Sequence, residues 1–93
     1  MASFYHAFVR PKAGVDKSQV EKQLDLAVDW FRYSANNYII YTTSDAKKWM
    51  QRLSPFVKPG GRLFICRFDI EQRSGLMNKA FVEWVNKSRP RAR

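Results

Sequence analysis

The chain is poor in the residues that most enzymes and metal sites rely on. Its 93 residues include one cysteine, Cys66, and one histidine, His6. A lone cysteine closes no internal disulfide, and one cysteine with one histidine supplies no zinc cluster. Cys66 stands in an apolar run, which predicts a buried thiol rather than a nucleophile. Acidic residues are scarce, eight against seventeen Lys and Arg. No stretch approaches the roughly 20 apolar residues of a membrane helix. Met1 to Arg10 holds no long apolar run, so no signal peptide is expected. These absences predict a cytoplasmic location with no membrane partner. Serines are scattered through loops, and no Ser-His-Asp set follows from spacing. No catalytic residue, resident metal or cofactor is expected.

What is present is a folded core and an excess of positive charge. Hydrophobic residues make up 45% and aromatic residues 15%, more than a disordered chain carries. The net charge is +9 and the pI about 10.1. Met1 to Asp29 holds four basic and four acidic residues and is neutral. Trp30 to Arg93 holds thirteen basic and four acidic residues and carries the whole excess. Such a surface attracts phosphate backbones or acidic proteins. A domain this small buries a modest fraction of its surface, so a second copy would help to stabilise it.

Periodicity gives the order of elements. Ser3 to Arg10 is aromatic and β-branched, a first strand stopped by Pro11. Asp16, with Ser18 as a competitor, is the candidate N-cap of a helix whose apolar stripe is Val20, Leu24, Ala27 and Val28. Glu21, Asp25 and Asp29 form a second stripe, expected to be a solvated face. Trp30–Tyr33 and Tyr38–Thr43 read as a hairpin joined by Ser34-Ala35-Asn36-Asn37. Ser44 or Asp45 caps a second helix with Ala46, Trp49, Met50, Leu53 and Val57 on one face. Pro55 lies close to its end. Lys58-Pro59-Gly60-Gly61 is a turn. It follows a helix and precedes a strand, the wrong order for a phosphate loop. Arg62 to Ile70 is a last strand, and its inner run Leu63-Phe64-Ile65-Cys66, apolar on both faces, predicts a central position. Leu76 to Lys87 repeats a helical pattern. The order β-α-β-β-α-β predicts an α+β, ferredoxin-like sandwich with an extra C-terminal helix. Residues 1–87 form one domain in this reading and 88–93 a mobile basic tail.

Binding features outnumber catalytic ones. His6 shares a strand face with Phe4 and Phe8 and is expected to be packed or partner-facing. Asp69 and Glu71, at i and i+2, are candidates for a divalent cation, but neighbouring Arg67 and Arg73 predict local ion pairing. Phe4, Tyr5, Phe8, Trp30, Phe31, Tyr33, Tyr38 and Tyr41 lie on the first strand and hairpin. A sheet with helices on one face leaves about half of these rings on the other. There they would form a dimer core or stack on bases. Arg62-Leu63-Phe64-Ile65-Cys66-Arg67-Phe68 lacks the glycines of the common RNA-binding sheet signature, so sequence-specific RNA readout is not expected.

Several stretches resemble a known superfamily. They are Ser3-Phe4-Tyr5-His6-Ala7-Phe8, Trp30 followed by Asn37-Tyr38-Ile39-Ile40-Tyr41-Thr42, Ser44-Asp45-Ala46, Leu53-Ser54-Pro55-Phe56, Gly61-Arg62-Leu63-Phe64-Ile65, and Gly75-Leu76-Met77-Asn78-Lys79 leading to Trp84-Val85. The pattern resembles the small CRISPR-associated adaptation subunits and the virulence-associated protein D toxins. That resemblance implies a ferredoxin-like homodimer with a basic surface. Some members cleave nucleic acid with a metal held by an Asp at the end of the first strand, and others are structural DNA-binding subunits. Here Val9 stands at that position, and valine neither binds a metal nor activates water.

The expectation is therefore a non-catalytic, homodimeric protein that contacts nucleic-acid phosphates, DNA or RNA, with little sequence preference. The candidate contacts are Arg10, Lys12, Arg62, Arg67, Arg73, Lys79, Arg89, Arg91 and Arg93, with Arg67 and Arg73 foremost. The alternatives are a metal-dependent nuclease using Asp69 or Asp16, and an interaction module, such as an inhibitor or a toxin–antitoxin component, whose basic face meets an acidic protein.

Overall fold

The structure, a computed structural model, describes residues 2–87. The expected tail, with Arg89, Arg91 and Arg93, lies outside the described residues. In order come β1 (Ser3–Arg10), α1 (Lys17–Leu24), β2 (Asp29–Ser34), β3 (Asn37–Thr42), α2 (Ala46–Val57), β4 (Arg62–Phe68) and α3 (Lys79–Asn86). The strands form one antiparallel sheet in the order β2-β3-β1-β4, the ferredoxin-like arrangement. No helix among the described residues is long and apolar enough to cross a membrane.

Alternation along the strands sorts the side chains into two layers. Tyr5, Ala7 and Val9 of β1 and Tyr38 and Ile40 of β3 point to one face. There they meet Val20 and Leu24 of α1 and Trp49, Leu53 and Val57 of α2. Trp49 is fully buried, and its indole Nε1–H donates to Thr42 Oγ1 at 3.0 Å. Both helices start at a polar residue. Gln19 Oε1 accepts from the Asp16 amide at 2.9 Å, and Asp45 Oδ1 accepts from the Lys48 amide at 2.8 Å.

The opposite face is roofed in part by α3. Trp84 packs on Phe31 and Phe4, with ring centroids 5.6 and 6.3 Å apart. Phe81 meets Phe31 at 5.9 Å and Tyr33 at 5.5 Å. Lys87 Nζ lies 3.1 Å from Asp29 Oδ2 and ties the end of α3 to β2. Rings expected to await a partner thus spend much of their surface on this chain's own third helix.

Other expectations change as well. β4 is an edge strand, not a central one. Its run is apolar on both faces, yet only Leu63 and Ile65 pack on the core, while Phe64 is 63% exposed. Cys66, on the same side as Phe64, is exposed rather than buried. The central strands are β1 and β3, which have layers above and below. β4 ends at Phe68, short of Ile70. α1 ends at Leu24, so Val28 falls outside the stripe and is exposed. The acidic stripe is not a bare solvated face. Glu21 binds Arg32 and the Tyr38 hydroxyl, Asp25 accepts from the Trp30 indole, and Asp29 belongs to β2. Met50 is half exposed at the edge of the α2 stripe. α3 starts at Lys79 because Asn78 caps it, with its Oδ1 accepting from the Phe81 amide at 2.9 Å, and Leu76 is left in solvent.

Candidate nucleic-acid interface

The half of the upper face formed by β1 and β4 carries the most unusual surface. In the β1–β4 register Phe8 stands opposite Phe64, and Arg10 opposite Arg62. Alternation places these four residues on the same face, next to the region roofed by α3. Two like charges directly across a strand pair repel each other and weaken the sheet. Both arginines are exposed, and neither has an acidic partner among the described residues. The Arg62 guanidinium donates to the Gly61 carbonyl at 3.0 Å.

Backbone packing brings two lysines to the same end of the sheet. The Lys12 amide donates to the Phe56 carbonyl at 2.9 Å, and the Gly61 amide to the Val57 carbonyl at 2.8 Å. Gly61 sits so close that a Cβ there would lie 2.3 Å from the Arg10 carbonyl oxygen and 3.1 Å from the Lys12 amide nitrogen. Only glycine lets β1 and the α2–β4 turn approach this closely. Lys58 caps the end of α2 beside this contact. Arg10, Lys12, Lys58 and Arg62 therefore gather at one end. Between Asp45 and Asp69 the chain has six basic residues and no acidic one, so little dilutes this charge.

The remaining candidates are dispersed. Arg67 stands opposite Tyr5 on β4, which turns it to the other side of the sheet from Arg62. Arg73 lies beyond β4, where it donates to the Ile70 carbonyl at 3.0 Å and to Asn86 Oδ1 at 2.9 Å. The expected pairing of Arg67 and Arg73 with Asp69 and Glu71 does not form; Asp69 Oδ1 instead accepts from the Glu71 amide at 3.0 Å. Lys79 pairs with Glu83 on α3 at 3.7 Å. The two residues ranked foremost thus stand apart from the cluster. Phe64 and Lys58 join it without having been singled out. From the sequence Phe64 reads as core and Lys58 as a turn residue, and only the register reveals their neighbours.

Among the described residues no group of three or more His, Cys, Asp or Glu side chains could hold a metal ion. Asp16 begins α1, Asp69 follows β4, and Val9 is buried in the core. His6 Nε2 and the Tyr33 hydroxyl are 2.5 Å apart. Burial lowers the His6 pKa below 6.5, so the ring is neutral at pH 7. Burial of Tyr33 raises its hydroxyl pKa in turn. Comparisons with protein-family models, curated proteins and solved structures return no match for this chain.

Proposed function

We propose that the protein is a non-catalytic nucleic-acid-binding module that takes a single strand along the β1–β4 half of its upper face. Phe64, with Phe8 beside it, offers a ring on which a base stacks. Arg10 and Arg62, joined by Lys12 and Lys58, receive the phosphates. The observation that carries this reading is the Arg10–Arg62 couple, without an acidic partner among the described residues, set directly beside the Phe8–Phe64 couple. A like-charge pair costs the fold stability, and an anionic ligand offsets that cost. Stacking and phosphate contacts together give affinity with little sequence preference.

A second copy of the chain is part of the proposal. β4 leaves one edge of the sheet unpaired along an apolar run, and such edges tend to be covered or paired. A partner's β4 would add antiparallel to it and extend the sheet.

The test is fluorescence anisotropy with a labelled twelve-nucleotide oligothymidylate at low salt. Phe64→Ala removes a mostly exposed ring, so the fold should persist. Affinity should fall about 5- to 150-fold, in line with roughly 1–3 kcal/mol per stacked base. Equal affinity of wild type and Phe64→Ala would remove the stacking surface. Binding of an acidic protein in place of any oligonucleotide would favour the interaction-module alternative.

A further inference from the structure

α3 and the segment leading to it do not lie flat on the sheet. With the sheet they line a half-open pocket of about 500 Å³, which neither Phe8 nor Phe64 lines. Its size falls within the range of small-molecule sites, roughly 300–1,000 Å³. Ile39 and Phe68 line it from the sheet, and Phe81 and Val85 from α3. His6 and Tyr33 also line it, with His6 Nε2 and the Tyr33 hydroxyl engaged with each other.

One charge stands at the wall of this space. The Arg73 guanidinium bridges the segment after β4 to the end of α3, through the Ile70 carbonyl and Asn86 Oδ1. Both acceptors are neutral, and Arg73 has no carboxylate partner among the described residues. A guanidinium has five N–H donors. Among the described residues two are used, and those two hold the group in place while the other three remain for a ligand. The cavity therefore combines an apolar interior with one positioned, uncompensated cation.

We infer that this cavity binds a small amphipathic carboxylate, with its hydrocarbon or aryl body between Ile39, Phe68, Phe81 and Val85 and its anionic head on Arg73. Charge complementarity selects an anion over a neutral hydrophobe or a cation. The apolar lining selects a hydrocarbon body over a nucleobase, whose polar edge would be stripped of water and left unpaired. This site does not depend on the nucleic-acid reading, since it shares no residue with the Arg10–Arg62 cluster.

The experiment is isothermal titration of the full chain with decanoate below its micelle concentration, with decylammonium as the control. The expected result is saturable binding of one decanoate per chain and none of decylammonium. Arg73→Met should weaken decanoate binding at least about tenfold, as expected for a lost charge-assisted contact. Arg10→Ala/Arg62→Ala should leave it unchanged. Val85→Trp should block it by filling the cavity. If circular dichroism shows that this variant is unfolded, a spin-labelled decanoate takes its place and should broaden the NMR signals of Ile39 and Phe68. Absence of saturation, equal binding of decylammonium, or wild-type affinity in Arg73→Met would overturn the inference.

Discussion

Single residues on this chain take their roles from the layer they face. Phe64 and Leu63 are adjacent and both apolar, yet one is 63% exposed and the other packs on the core. The sequence does not separate them, because alternation matters only once it is known which faces are covered. His6 is the opposite case. Its expected place among aromatic rings holds, and its bond to Tyr33 fixes it there. Its lowered pKa has a consequence for stability. The unfolded chain protonates His6 more readily than the folded one, so the contribution is full above pH about 6.5 and is lost as pH falls toward the lower folded value. His6→Gln should therefore flatten the decline in Tm between about pH 7 and pH 5. An unchanged decline would place the acid sensitivity elsewhere.

Elements form where local signals agree. Val20 and Leu24 mark the buried side of α1, and Trp49, Leu53 and Val57 that of α2, at spacings the sequence already displays. Asp16 and Asp45 mark their starts. The hairpin follows from its asparagines, with β3 beginning at Asn37. Less legible were the ends of α1 and α3, where apolar residues continue beyond the cap without remaining helical, and the rank of β4 in the sheet. The α2–β4 connection depends on Gly61, whose missing Cβ admits the Arg10 carbonyl. Gly61→Ala forces that contact apart. It should lower stability by about 1–3 kcal/mol, the range for overpacking a closed site, and displace the Arg10–Arg62 end of the sheet. Urea denaturation checks the first effect. A midpoint equal to that of wild type would show that the turn adjusts freely.

The whole molecule is a ferredoxin-like sheet with two helices below and a third above. Element order was enough to predict the lower layer. It could not assign α3 to a face, since the rings that hold it, Phe4, Phe31, Tyr33, Phe81 and Trp84, come from distant parts of the sequence. The basic site was legible only as charge. Arg10, Lys12 and Arg62 could be named from the sequence, but their convergence is a product of register. The cavity beneath α3 had no sequence signature, because it arises from the way the helix and its leading segment span the sheet.

The most direct test of the proposed function is the salt dependence of oligothymidylate binding, for wild type and for Arg10→Ala/Arg62→Ala. Each phosphate contact on a single strand contributes about 0.7 to the slope of log K against log salt. Loss of both arginines should make the slope shallower by about 1.4 and weaken binding at every salt concentration. A slope identical to that of wild type would contradict the assignment of this end of the sheet to phosphate.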